Sequence, residues 1–266
     1  MWKIRKFLLV SMMFVVVFSY SISVNAMVNR LAEDEVQFTF ISLPDGEALL
    51  ITTGRGKEIL VNTGSENSEE HLQKQLEEEL ESAELDMLII TSNEGDTCGN
   101  ANYVLKNYKV GKVIHSSDDL DCLGSDWESE EIQKWEDRGL YELSPGLFFR
   151  VLKGEKVNRM SLYIQFGKSA LFFMSEGSRE IENVIRDFPV EVEMIKVPEY
   201  AVKNYPSGEL LQELDPHLAI IYNLKESKLH DGLLERLNES WIDVYHLKKV
   251  GTIKIVCNLS DYEIKK

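Results

Sequence analysis

The chain has 266 residues, 44% hydrophobic and 28% charged, an ordinary globular composition with enough apolar material for one large, fully cored domain. Forty-five acidic residues against 29 basic ones leave a formal charge of −16. A surface of that sign lacks the basic footprint with which nucleic-acid binders displace counterions, so nucleic acid is not expected as a partner.

Residues 1–26 read as a signal peptide. Lys3, Arg5 and Lys6 form a basic start, Phe7–Phe18 is apolar apart from Ser11, and Val24-Asn25-Ala26 is a small-residue cleavage site. The alternative is an uncleaved anchor over residues 7–24, at the lower length limit for spanning a bilayer and weakened by Tyr20 and four serines. Either way the domain, residues 27–266, is expected outside the cytoplasm, secreted or at the cell surface. Any membrane association is expected only through that first segment. Without it, 26 basic residues face 45 acidic ones, a net −19. Cys98, Cys122 and Cys257 contain no C-x-x-C pair. In an oxidising compartment a Cys98–Cys122 disulfide is one expectation and buried free thiols the other.

Val36–Ser42 alternates apolar and polar residues as a strand does. Leu43-Pro44-Asp45-Gly46-Glu47 is turn chemistry, Ala48–Thr53 a second strand, Gly54-Arg55-Gly56-Lys57 a hairpin turn, and Glu58–Asn62 a third strand. A helix follows, capped by Ser65 or Ser68, with Leu72, Leu76 and Leu80 on one face and a Glu-rich opposite face. Leu85–Thr91 is a buried strand, Asn100–Lys106 a helix and Val110–His115 a strand. The acidic stretch 116–131 is expected as a surface loop leading into a short helix near Trp135. Strands are expected at Leu147–Leu152, Ser161–Phe166, Lys168–Met174, Val192–Val197, His217–Tyr222, Trp241–Leu247 and Thr252–Asn258. Helices are expected at Arg179–Phe188, Gly208–Leu214 and Gly232–Asn238, and the tail as basic and polar. Hairpin strands followed by strand–helix units, in each half, predict an α/β (α+β) chain: two sheets packed between helix layers.

Six segments fall in the order of a known family. They are Val36–Ala48; Ile59-Leu60-Val61-Asn62-Thr63-Gly64; Thr91-Ser92-Asn93-Glu94-Gly95-Asp96-Thr97-Cys98-Gly99-Asn100; Asn158-Arg159-Met160-Ser161-Leu162; Phe172-Phe173-Met174-Ser175-Glu176; and Lys196-Val197-Pro198-Glu199-Tyr200-Ala201-Val202. The chain thereby resembles the metallo-β-lactamase superfamily, and within it the extracytoplasmic hydrolase domain of the ComEC competence proteins. The resemblance implies a four-layer αββα sandwich and places a metal loop, Thr-His-x-His-x-Asp-His-x-Gly-Gly in the family, on Thr91–Asn100. Here Ser92, Glu94 and Thr97 hold the three histidine positions, while Asp96 and a late His230 keep the family residue. Glu176 stands for a metal-bridging Asp, Glu199-Tyr200 for a His pair, and Asn62 for an Asp behind the metal loop.

Zinc hydrolysis needs imidazole and carboxylate ligands with an open water position, and hydroxyls replace imidazole poorly. Two readings stay open. One is a degenerate metal site with no cofactor, in a non-catalytic binding or regulatory module for an unknown small molecule or protein. The other is a metal-dependent hydrolase, phosphoester-type by resemblance, using Glu94, Asp96, Glu176 and His230 to hold zinc or another divalent cation. The cleft candidates in both are Asn62, Ser92, Glu94, Asp96, Thr97, Glu176, Glu199, Tyr200 and His230. His71, His217 and His246 read as surface or turn residues, and His115 as a strand end. Ser92 and Ser175 lack a nucleophile-elbow setting, and acidic neighbours would disfavour a Cys98 thiolate.

Overall fold

The computed structural model describes residues 31–115, 122, 132–156, 158–188 and 191–265. The segment expected as signal peptide or anchor lies outside them, as does nearly all of the acidic stretch 116–131. The first half runs β1 (Val36–Ile41), β2 (Ala48–Thr53), β3 (Glu58–Val61), α1 (Glu69–Glu79), β4 (Glu84–Leu85), β5 (Met87–Ile90), α2 (Gly95–Cys98), α3 (Ala101–Asn107), β6 (Lys109–Val110), β7 (Val113–His115) and β8 (Ile132–Lys134). The second half runs β9 (Leu140–Ser144), β10 (Leu147–Leu152), β11 (Ser161–Phe166), β12 (Ser169–Phe173), α4 (Arg179–Arg186), β13 (Met194–Lys196), α5 (Gly208–Leu214), β14 (Leu218–Ile221), α6 (Asp231–Glu239), β15 (Asp243–His246), α7 (Leu247–Val250), β16 (Ile253–Cys257) and β17 (Tyr262–Lys265).

Period-two alternation sorts the strand residues onto two faces, and those faces define the layers. In β1 and β2, Phe38, Phe40, Leu49 and Ile51 point into one core, while Ile41, Ala48 and Leu50 point into another. The first core lies between the two sheets and also takes Phe149, Phe173 and Tyr222 from the second one. The second core joins the first sheet to Leu72 and Leu76 of α1 and Val104 of α3. A third joins the second sheet to Ile181, Leu211 and Leu233 of α4, α5 and α6. Three apolar seams therefore separate four layers, α, β, β and α, as the sequence predicts.

The first sheet has strand order β17-β16-β1-β2-β3-β5-β7-β8 and the second β15-β14-β13-β12-β11-β10-β9; β4 and β6 form a small third sheet. Within each large sheet the pairing changes from antiparallel to parallel, at β3–β5 in the first and β12–β13 in the second. The loops leaving the carboxyl ends of these parallel strands face one another, and such ends are where open α/β sheets take ligands.

Several local expectations are corrected. No helix forms at Trp135: β8 precedes it, and Trp135 stacks on Tyr141 at 4.3 Å between ring centroids, inside the inter-sheet core. Strand β9 was not foreseen, and the tail forms edge strand β17 against β16. Helix α1 ends before Leu80; Ser68 holds its N-cap position as expected, but without a side-chain cap bond, its Oγ donating instead to Asp45 O at 2.6 Å. His246 is half-buried rather than facing solvent. Among the described residues no helix is long and apolar enough to cross a membrane.

Candidate functional site

The turn between β1 and β2 carries Glu47 into the sandwich. Gly46 makes this possible: its φ is +91°, and a Cβ there would collide with Asp96 O and Ser65 N. Glu47 N donates to Asp96 O at 3.2 Å, and Gly64 N to Glu47 O at 2.9 Å, which ties the turn to the loops after β3 and β5.

Glu47 is buried against Lys196, the last residue of β13, and the two form an ion pair with 2% and 1% side-chain exposure. Asn62, at φ 60°, donates from Nδ2 to Glu47 Oε1 and to Thr91 Oγ1, each at 2.8 Å, and accepts from Thr91 N at 2.8 Å. Lys196 Nζ also donates to Met174 O at 3.0 Å and lies 4.7 Å from the ring centroid of Phe173. Burial raises the Glu47 carboxyl above its ordinary range, even against the Lys196 charge.

A second cation bridges the two halves of the cleft. Arg159, in the loop before β11, donates from Nε to Glu94 Oε1 at 3.2 Å, and its Nη2 contacts Glu94 Oε2. Its Nη1 donates to Ser175 O at 2.8 Å and to Glu199 Oε1 at 3.1 Å. Lys156 and Lys203 reach the same Glu199 oxygen at 3.0 and 2.9 Å. Burial alone would raise the Glu199 pKa, but hydrogen bonds from Lys203 and Lys156 outweigh it and hold the carboxyl below its ordinary range. Burial pulls the Arg159 pKa down, and the bonds to Glu94 more than reverse it. Three consecutive residues, Glu199, Tyr200 and Ala201, adopt left-handed φ of 48°, 57° and 59°. Each costs on the order of 1 kcal/mol, and such backbone collects at ligand sites. The run seats Tyr200, whose hydroxyl donates to Asp96 O at 3.2 Å. Burial, with Glu47 and Asp96 nearby, pushes that phenol well above its ordinary pKa.

Together these groups enclose a cavity of about 170 Å³. Of the nine residues expected at the cleft, Ser92, Glu94, Asp96, Thr97, Glu199 and Tyr200 line it. Asn62 lies beneath, behind Glu47. Glu176 is set back and buried, accepting from Ser178 Oγ at 2.6 Å and from Lys156 N at 3.3 Å. His230 is elsewhere: it is the N-cap of α6, its Nδ1 accepting from Leu233 N at 3.3 Å. Among the described residues no three His, Cys, Asp or Glu side chains converge as a metal-holding group. Glu47, Arg159 and Lys196 were not foreseen. The signal for Lys196 was a lone lysine ending a short apolar strand, which needs a buried counter-charge.

Cys98, at the end of α2, is disulfide-bonded to Cys122 with a Cα–Cα distance of 6.0 Å. Cys257 is free, and burial pushes its thiol up to about 12.

Two sheets face to face, helices outside each, and a cleft at the strand ends make this a protein of metallo-β-lactamase fold. The solved structure of the metallo-β-lactamase fold protein YhfI from Bacillus subtilis superposes with a TM-score of 0.63 at 12% identity, over 87% of this chain and 100% of that one. A metallo hydrolase from the archaeon Ignicoccus hospitalis gives a TM-score of 0.54 at 12% identity, over 87% and 99%. In sequence the chain is similar to ComE operon protein 3 of Bacillus subtilis (strain 168), 26% identical over 193 residues. That match covers 64% of this chain and 24% of the relative, so the shared region is about a quarter of that protein's length. It agrees with the ComEC-type likeness of the motifs. No protein-family model matches the chain.

Proposed function

We propose that the chain is a non-catalytic binding module, extracytoplasmic by its N-terminal segment, in which protein cations do the charge-balancing that metal ions do in the hydrolases of this fold. The observation that carries this reading is the placement of Arg159 and Lys196 within the acidic cleft. Glu94 and Glu47, which would otherwise attract a divalent cation, already neutralise a guanidinium and an ammonium. Of the residues assigned to a metal by resemblance, Glu176 is spent on Ser178 and a backbone amide, and His230 caps a helix. Asp96 alone is left, too few donors for zinc, which takes four ligands or three and a water. The donor set therefore does not fit the metal pair of the fold, and no hydrolytic step is derived through it.

A second reading keeps some support. Asp96 and Glu199 both line the cavity, and with waters their carboxylates offer a hard cation oxygen ligands. A metal-dependent hydrolase acting on a phosphoester-type bond would follow. Elemental analysis of the purified protein separates the two. The binding-module reading expects no stoichiometric zinc or manganese after incubation with either ion and dialysis. Stoichiometric metal that is lost in Asp96→Ala would sink it.

A further inference from the structure

The eight-stranded sheet ends on β17, and no strand of the described residues pairs with its outer edge. That edge is fixed in place. Gly167, at φ +58°, lets the β11–β12 turn close on the β16–β17 turn, where Lys168 N donates to Leu259 O at 3.1 Å. The Tyr262 hydroxyl lies 3.2 Å from His217 Nδ1, just before β14, and Tyr262 and Ile264 pack against the inter-sheet core. A strand held this way offers its outer backbone groups with little ordering left to do.

Register decides which groups face out. Asn258 N donates to Asp261 O at 2.9 Å, and bonded and non-bonded pairs alternate from there. Glu263 and Lys265 therefore turn their backbone groups to β16, while Tyr262 and Ile264 turn theirs outward. Tyr262 N already donates to Asp261 Oδ1 at 2.8 Å, which leaves the N–H and C=O of Ile264 at the centre of the open edge. The side chains of Glu263 and Lys265 share the opposite sheet face from Tyr262 and Ile264. Neither charge is answered from β16, whose sequence Ile-Lys-Ile-Val-Cys has no acid. Glu263 stands opposite Val256, and Lys265 opposite Lys254, whose ammonium is taken by Glu79 at 2.7 Å.

We propose that β17 pairs antiparallel with β17 of a second copy of this chain, about a two-fold axis through Ile264. Ile264 N–H then donates to the Ile264 carbonyl of the other copy, and the reverse. Glu263 stands opposite Lys265 of the other copy, and the symmetry makes that pair twice. Sliding one copy by two residues sets Glu263 on Glu263 or Lys265 on Lys265, and a slip of one residue puts side chains on the wrong face. Charge and pleat together select the Ile264-centred register. The formal charge of −16 opposes association at a distance, and physiological salt screens that repulsion within about 8 Å.

The test is sedimentation equilibrium of the purified protein at physiological salt, over a wide range of concentration. A reversible monomer–dimer equilibrium is expected. Glu263→Lys and Lys265→Glu each set like charges opposite one another twice, and each should weaken dimerisation by at least about tenfold. Mixed in equal amounts, these two variants present an all-basic and an all-acidic edge and should form a heterodimer. The double variant, which exchanges the two charges, should dimerise as wild type does, and circular dichroism should be unchanged throughout. A wild-type protein that stays monomeric leaves the edge to another chain or to none, and overturns the proposal. So does a dimer that neither single variant weakens, or a pair of variants that stays monomeric when mixed.

Discussion

Lys196 closes β13 with its ammonium against the Glu47 carboxylate, and neither side chain meets solvent beyond 2% of its surface. Two charges so buried have lost most of their hydration, and each depends on the other. Removing one leaves an uncompensated interior charge, which costs roughly 3–5 kcal/mol, whereas replacing both by apolar groups is often near neutral. Lys196→Met should therefore lower stability by that amount in urea unfolding, and the double variant Lys196→Met with Glu47→Leu should recover most of it. A double variant as unstable as the sum of the singles would show that the pair is not coupled.

Asn62 gives a sharper test of the same network. Its amide nitrogen donates to Glu47 and Thr91, and its oxygen accepts from Thr91 N. Aspartate preserves the acceptor but removes both donors and sets a second carboxylate against Glu47. Asn62→Asp should cost roughly 2–4 kcal/mol at neutral pH. The loss should shrink as pH falls and one of the two carboxyls takes a proton. Equilibrium unfolding at pH 5 and pH 7.5 reads this directly; an identical loss at both would remove like-charge repulsion as the cause.

The layers were legible because Val36–Ile41 alternates apolar and polar residues and residues 48–51 are apolar throughout, so that the strands' two faces feed different cores. Strands β8 and β17 were not, because Ile132-Gln133-Lys134 and Tyr262-Glu263-Ile264-Lys265 sit at sheet edges. One face of an edge strand is polar and its length is short, so sequence carries little signal there. In the cleft, the loop Ser92–Thr97 could be read from its frame. The roles of Arg159 and Lys196 could not, because a long cation's partner is chosen by tertiary packing. His230 was misleading for the opposite reason: its position matched, but its ring is used locally to start α6.

Glu58 supplies a pH signature away from the cleft. Burial raises its carboxyl from 4.5 to about 7, with a hydrogen bond from Thr52 at 2.7 Å working against that and Asp86 adding to it. A carboxyl whose folded pKa lies above its unfolded one stabilises the fold below the unfolded value. That contribution is lost as pH rises through the folded value. Wild-type stability should thus fall from pH 4.5 toward pH 7 by roughly 1–2 kcal/mol from this group, after allowance for its partial exposure. Glu58→Gln should flatten that segment of the profile and be the more stable protein above pH 7. Parallel profiles for the two proteins would rule Glu58 out.

The disulfide joins Cys98 and Cys122, 24 positions apart in sequence. By loop-closure entropy such a link is worth about 3 kcal/mol. Reduction of the wild-type protein should lower its urea midpoint accordingly, while a Cys98→Ser, Cys122→Ser variant should not respond to reductant. If both thiols alkylate in the folded, unreduced protein, the link is absent in solution.

Arg159 separates the exposed from the buried part of the charge network. Its side chain is 12% exposed, Glu94 is 48% exposed and Glu199 9%. The Glu94 leg is therefore screened by water, and Glu94→Ala should cost less than about 1 kcal/mol. Loss of the guanidinium is different, because Glu199 remains buried and Ser175 O loses a donor; Arg159→Ala should cost roughly 2–4 kcal/mol. Lysine would not rescue it, since one ammonium cannot meet Glu94, Glu199 and Ser175 O with the geometry of a planar fork. Denaturant midpoints should be highest for Glu94→Ala, with Arg159→Ala and Arg159→Lys lower and close together. A lysine variant as stable as wild type would mean that charge alone, and not the fork, holds the two halves of the cleft.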